Sequence, residues 1–293
     1  GIMPADYNKI QKVIFLKDHQ PKKFLLEKKP KVLIISKVFH IGIINLVTEA
    51  KKLDIKIISI FDDWHFDEKL KNHNIYNLEV AKNSDIIVAK TEKAIDVIYE
   101  NTKIRGVVIP DCLRYKKLEV SQITCDPYKL CWFGTHNNHP SLIKAVEEIS
   151  KINLKINLKI ITNKIKLLKK LLLKTNDNIT SEFVEWNFSM HEELNKSEII
   201  IIPLTNNKKS LVKSSNRIVD SLNMGKFVIV NDNDQFQEFK DFCYFGNIID
   251  GLNWISKNQK SAILKIVKGQ RYVNKNYSLE VIAKKWKELL EEL

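Results

Sequence analysis

The sequence has no apolar run long enough to span a bilayer. Its longest uncharged stretch near the N-terminus, residues 38–48, falls well short of the roughly 18 to 20 residues a spanning helix needs. Nor does the N-terminus show a short apolar core followed by a small-residue cleavage site, the pattern of a secretory signal. Cysteine is scarce: Cys112, Cys125, Cys131 and Cys243 are irregularly spaced. That spacing indicates neither a disulfide framework nor a zinc knuckle, and the thiols read as small buried hydrophobes in a reducing cytoplasm. Arginine is rare for so basic a chain. Arg105, Arg114, Arg217 and Arg271 stand among many lysines, isoleucines and asparagines, the bias of an AT-rich coding sequence. Each lysine therefore carries little information and each arginine more. Internal repeats and low-complexity tails are also missing.

What is present is a chain of 293 residues, 44% hydrophobic and 28% charged, as in ordinary water-soluble globular proteins. Its length is about twice a typical domain of roughly 150 residues, so two domains are expected. Forty-eight basic against thirty-five acidic residues give a formal charge of +13. Such a charge attracts nucleic acid, anionic lipid or phosphorylated ligands, and by itself does not choose among them.

Short β-rich runs alternate with longer helical patterns from end to end, the sequence form of an α/β protein with parallel sheets. Strands are predicted at 32–36, 55–61, 85–89 and 106–109, with helices at 41–52, 77–82 and 91–101 and an edge strand at 13–16. Pro110 closes this unit, and the polar stretch 111–128 reads as a linker. A second unit has predicted strands at 129–133, 158–162, 182–184, 198–203 and 227–231. Its helices are predicted at 140–152, 164–174, 189–196, 214–224 and 253–267. The domains are then 1–112 and 113–277, and a terminal helix, 278–293, crosses back toward the first. Two such Rossmann-like domains facing across a cleft would bind ligands at the carboxyl ends of their strands.

The most specific segment runs from Lys213 through Ser214, Ser215, Asn216, Arg217 and Asp220 to Met224-Gly-Lys-Phe-Val-Ile-Val230: a polar loop, a helix, a glycine stop and a buried strand. Free N–H groups at the helix start, with Lys213 and Arg217 beside them, suit a diphosphate, and Asp220 could accept hydrogen bonds from ribose hydroxyls. Together with Glu198-Ile-Ile-Ile-Ile-Pro203, this segment resembles the donor-binding half of GT-B glycosyltransferases, nearest the retaining group that includes glycosyltransferase family 4. In that group the helix residue is usually Glu, and a second Glu eight positions earlier contacts the sugar. Here the two positions hold Asp220 and Val212, as in the variant with a Lys-Ser-x-Asn loop. Leu130-Cys-Trp-Phe-Gly-Thr-His-Asn-Asn138 is similar to the first strand and loop of the donor domain, which implies that Gly134, Thr135 and His136 approach the donor. Lys164 and Lys166 stand for the family's basic pair. Trp186 falls where the family places its base-binding loop, and it could stack on a nucleobase or form a rim or core aromatic.

In the first half, Asp62, Asp63 and His65 follow a strand, and they are the cluster there that could serve proton transfer. Asp62 and Asp63 could equally cap the next segment, and His40 is a second candidate. Adjacent carboxylates lack the spaced Asp-x-Asp geometry of metal-dependent transferases, so no metal and no cofactor is expected. The resemblance implies an enzyme that moves a sugar from a nucleotide-sugar donor to a carbohydrate or lipid-linked acceptor in surface glycan assembly. An epimerase of the same fold is one alternative. A basic ligand- or nucleic-acid-binding protein is another, less expected because the lysines are dispersed. Residues 164–174 alternate Lys with Ile and Leu at helical spacing, which fits either a solvated helix or a peripheral contact with an anionic membrane.

Overall fold

The computed structural model describes residues 21–36, 42–64, 71–172, 178–187, 189–205 and 207–293. The strand expected at 13–16, His40 and His65 lie outside them. The chain divides into two compact units. One comprises Gly1–Cys112, Asn207–Ser214 and Tyr277–Leu293, the other Leu113–Asn206 and Ser215–Asn276.

The first unit is built on a parallel sheet of β1 (Val32–Ser36), β2 (Lys56–Phe61), β3 (Ile86–Ala89) and β4 (Gly106–Val108), in that order. Helices Gly42–Lys52, Lys71–Lys82 and Glu92–Thr102 make the crossovers. Successive strand residues face opposite sides. Ile57 accordingly packs with Ile43, Leu46, Val47 and Val80, while Ile58 packs with Val88, Ile109, Ile282, Trp286 and Leu289. The second face is thus covered by the C-terminal helix Leu279–Glu291, whose Ile282, Trp286 and Leu289 share one side at helical spacing. Its start is set by Ser278, whose side chain accepts from the Val281 N–H at 3.4 Å. The segment Lys208–Val212 contributes buried Val212 to the cluster around Phe61, Ile87 and Ile98.

The second unit holds six parallel strands: β5 (Tyr128–Phe133), β6 (Ile156–Thr162), β7 (Ile179–Glu185), β8 (Ile199–Ile202), β9 (Phe227–Val230) and β10 (Tyr244–Phe245). They run in the order β10-β9-β8-β5-β6-β7. The short run β10 carries no periodic signal and is absent from the sequence expectation. A single helix expected at 253–267 is instead two, Ile248–Lys257 and Gln259–Tyr277. Asn258 makes the break: its backbone leaves the helical region (φ −134°, ψ 35°) and its side chain donates to the Trp254 carbonyl at 2.8 Å. Gly225 ends the helix Asn216–Asn223 at φ +69°, where a Cβ would lie 2.3 Å from the Glu119 carbonyl oxygen, so backbone itself excludes a side chain.

That close approach belongs to a strap. Residues 114–121 have no regular structure and are fastened to the second unit by the side chains and carbonyls around this helix. Asn223 donates to the Tyr115 carbonyl at 2.6 Å, Gln270 to those of Leu118 and Asn223 at 2.7 and 2.8 Å, and Ser121 N–H to Gly225 at 2.9 Å. The buried Lys226 ammonium donates to Ser121 Oγ and to Asn195 through its carbonyl and side-chain oxygens, and desolvation lowers its pKa to about 8.

Candidate functional site

Strand order in the second unit reverses at β5: β6 and β7 build outward on one side, β8 to β10 on the other. A parallel sheet opens a crevice at the carboxyl ends of the two strands flanking such a reversal, here β5 and β8. β5 leads directly into Gly134, Thr135 and the short 3₁₀ turn His136–Asn138, while β8 leads, by way of residues 203–215, to the helix Asn216–Asn223.

The β5 loop is held from below. Gly134 N–H donates to the Ile161 carbonyl at 3.1 Å, and a Cβ on Gly134 would stand 3.1 Å from the Trp132 ring. Thr162 Oγ carries one proton and lies 2.7 Å from the Gly134 carbonyl and 3.1 Å from that of Asn163; with the proton on the nearer carbonyl, a lone pair faces His139 Nε2 at 2.9 Å and the imidazole donates there. His139 is buried. Desolvation, then the neighbouring His136 and Lys164, lowers its pKa from the ordinary histidine value, which favours the neutral ring.

His136 sits above this support. Its backbone N–H donates to Asn163 Oδ1 at 2.8 Å, and its ring nitrogens lie 3.2 Å from Asn163 Nδ2 and 3.1 Å from Lys164 Nζ. A neutral imidazole has one ring lone pair, so it accepts from only one of these donors. Lys164, exposed and in a left-handed conformation (φ 57°) just past β6, is the donor free to turn toward an anion.

Across the crevice, Ser215 precedes the helix Asn216–Asn223 without a side-chain capping bond, and no acidic residue occupies its first turn. Arg217 lies in that turn, where the helix dipole disfavours a cation. Its Nη1 reaches the Phe133 carbonyl at 3.5 Å, which ties helix to β5, and desolvation alone draws its pKa down to about 10. Among the described residues, a largely desolvated guanidinium and a helix N-terminus thus meet without a carboxylate paired to the guanidinium.

Asp220, one turn on and 2% exposed, is met by a residue the sequence reading did not connect with it. Arg114 donates to it through Nε (2.7 Å), Nη2 and the backbone N–H (3.3 Å), and its guanidinium lies 5.6 Å from the Tyr115 ring centroid. Tyr115 in turn stacks on His191 at 5.4 Å. Scarcity of arginine was the one sequence signal pointing to Arg114.

Lys213, in extended backbone, and Ser214 fall in the first unit, whereas Ser215, Asn216, Arg217 and Asp220 fall in the second. Trp186 is 47% exposed just past edge strand β7, with its backbone N–H donating to the Thr162 carbonyl at 3.0 Å. Asp62 and Asp63 follow β2 at the carboxyl edge of the first sheet, half-buried and exposed respectively. Among the described residues no three His, Cys, Asp or Glu side chains gather to hold a metal ion, and no helix is long and apolar enough to cross a membrane.

No protein-family model and no curated protein matches this sequence. Solved structures do. Anabaena Alr3699/HepE in complex with UDP and glucose superposes with a TM-score of 0.74 at 8% identity, over 93% of this chain and 81% of that one. A S. aureus TarM mutant in complex with Fondaparinux, alpha-GlcNAc-glycerol and UDP gives 0.67 at 14% identity, over 92% and 58%. The E. coli trehalose-6-phosphate protein bound with UDP-2-fluoro glucose gives 0.66 at 10%, over 93% and 76%. The chain therefore has the GT-B fold of two Rossmann-like units that the loop-and-helix resemblance implied.

Proposed function

We propose that this protein is a glycosyltransferase that takes a sugar from a nucleoside-diphosphate donor and passes it to a carbohydrate or lipid-linked acceptor in glycan assembly. The observation that carries the reading is positive charge at the β5–β8 crevice with no paired carboxylate among the described residues: Arg217 in the first turn of a helix without a side-chain cap, opposite a loop flanked by Lys164. A diphosphate supplies the missing counter-charge, and backbone N–H groups at the helix start supply hydrogen bonds. The structural neighbours support it, since the first is described with UDP and glucose and the third with UDP-2-fluoro glucose.

In this reading catalysis is electrostatic. Negative charge grows on the diphosphate as the glycosidic bond breaks, and Arg217, Lys213 and the helix dipole stabilise it more in the transition state than in the ground state. Gly134, Thr135 and His136 line the donor on the β5 side, with Ser214, Ser215 and Asn216 at the phosphates and Trp186 available to the base. Asp220 fixes Arg114 beside the donor helix and faces the ribose. Such a site needs no metal and no protein nucleophile if the acceptor attacks from the face the diphosphate leaves, which retains configuration. Asp62, Asp63 and His65 would supply a base if the outcome is inversion.

Calorimetric titration with UDP, GDP, ADP and the matching monophosphates tests the site. Binding of at least one diphosphate, tighter than its monophosphate and weakened by Arg217→Gln, is expected. Equal affinity for mono- and diphosphate, or none for either, would remove the reading.

A further inference from the structure

We infer that the helix Ile165–Leu172 docks this protein on an anionic lipid surface. Its sequence, Ile-Lys-Leu-Leu-Lys-Lys-Leu-Leu, has two apolar ridges rather than one. Leu168 and Leu172 are buried in the core of the second unit. Leu167 and Leu171, one turn apart and about 100° around the helix from that ridge, are 57% and 54% exposed. Lys166 and Lys170 are exposed on the far side of the outer ridge. Lys169 lies over the Phe183 ring at 5.3 Å, and Lys164 stands just before the helix. No acidic residue occurs between 163 and 172.

A merely solvated helix would mix signs on its outer face. Lysine alone beside an outward leucine ridge is instead the composition of a helix lying in a membrane interface, leucines toward the acyl boundary and ammonium groups among anionic headgroups. Two leucines are too little apolar surface to centre a stable protein–protein interface, which buries on the order of 1,200–2,000 Å². A bilayer needs no such area, because each lysine adds its own headgroup contact. Docking here has a geometric consequence: Lys164 immediately precedes this helix with its ammonium 3.1 Å from His136 Nε2, so docking brings the β5 loop close to the headgroups. The docking itself rests on the helix; only its bearing on a lipid-linked acceptor rests on the sugar-transfer reading.

Co-sedimentation with vesicles of phosphatidylcholine alone and of phosphatidylcholine mixed with phosphatidylserine tests it, using the full chain. Binding to the mixed vesicles only, weakening as salt rises, is expected. Leu167→Ser with Leu171→Ser should lower that binding by about tenfold or more while leaving the thermal transition and nucleoside-diphosphate affinity unchanged. Lys166→Gln with Lys170→Gln should lower it by about 25-fold, near fivefold per lysine. Undiminished binding of the leucine variant would reduce the effect to adsorption of a basic protein and overturn the inference, as would failure of the parent to bind mixed vesicles. Tighter binding to poly-glutamate than to the vesicles, lost in the leucine variant, would overturn it in favour of an acidic protein groove.

Discussion

Replacing Arg217 by Gln should move ligand affinity and protein stability in opposite directions. The guanidinium is desolvated, stands in the first turn of a helix and has no carboxylate partner among the described residues, so without ligand it is a cost. The fall of its pKa from 12.5 to about 10 would correspond to about 3 kcal/mol for a fully desolvated group at roughly 1.4 kcal/mol per unit. With solvent screening of a partly accessible side chain, the realised cost is on the order of 1 kcal/mol. Gln keeps an amide to reach the Phe133 carbonyl and removes the charge. The ligand-free variant should therefore melt at the same temperature as the parent or a few degrees higher, about 2–4 °C per kcal/mol in a protein of this size class. Its affinity for a nucleoside diphosphate should fall by roughly 10- to 150-fold, the worth of a charge-assisted contact of about 1.5–3 kcal/mol. Scanning calorimetry with and without ligand reads both. A variant that melts lower without ligand and binds diphosphate as the parent does would make Arg217 a structural cation with no part in the diphosphate site.

Asp220→Asn removes the anion that holds Arg114, and should weaken a ribonucleotide more than its 2′-deoxy counterpart; equal losses in titrations with both would leave Asp220 a fastener of residues 114–121 alone. His139 has a folded-state pKa below the 6.5 of the free side chain, so the unfolded chain takes up the proton first, and stability is lost as pH falls through 6.5. Urea unfolding of His139→Gln from neutral pH down to about pH 5 should show a shallower decline than the parent, and an identical slope would mean His139 does not contribute it. Trp286→Ala should cost about 3–5 kcal/mol in denaturant unfolding, because the ring is buried against Ile58, Val88 and Ile109; a loss under about 1 kcal/mol would show that the terminal helix is dispensable to the first sheet.

Strands such as Val32–Ser36 and Ile199–Ile202 were legible because parallel strands covered on both faces are nearly unbroken runs of β-branched residues. The break at Asn258 was not, since the flanking helices share an uninterrupted apolar period and one side-chain hydrogen bond decides where the first stops. At the site, the helix start around Ser215–Arg217 could be read from turn and helix-start chemistry. The grip of Arg114 on Asp220 could not: the two are 106 positions apart, and no local pattern encodes a pairing across a linker. His139 and Thr162 escaped for the same reason. Each is an ordinary residue at the end of its own element, and only strand register brings β6 against the loop after β5.

A β5–β8 crevice that holds a nucleoside-diphosphate sugar for transfer must both bind the donor and labilise its glycosidic bond. The most direct measurement incubates the protein with a panel of UDP-, GDP-, ADP- and dTDP-sugars, recording the thermal transition and the release of nucleoside diphosphate, in the parent and in Arg217→Gln. One donor should raise the parent's melting temperature by mass action and be slowly hydrolysed, and both effects should fade in the variant. No stabilisation and no release from any donor, with tight, salt-sensitive binding to RNA or DNA instead, would contradict a sugar-donor site there.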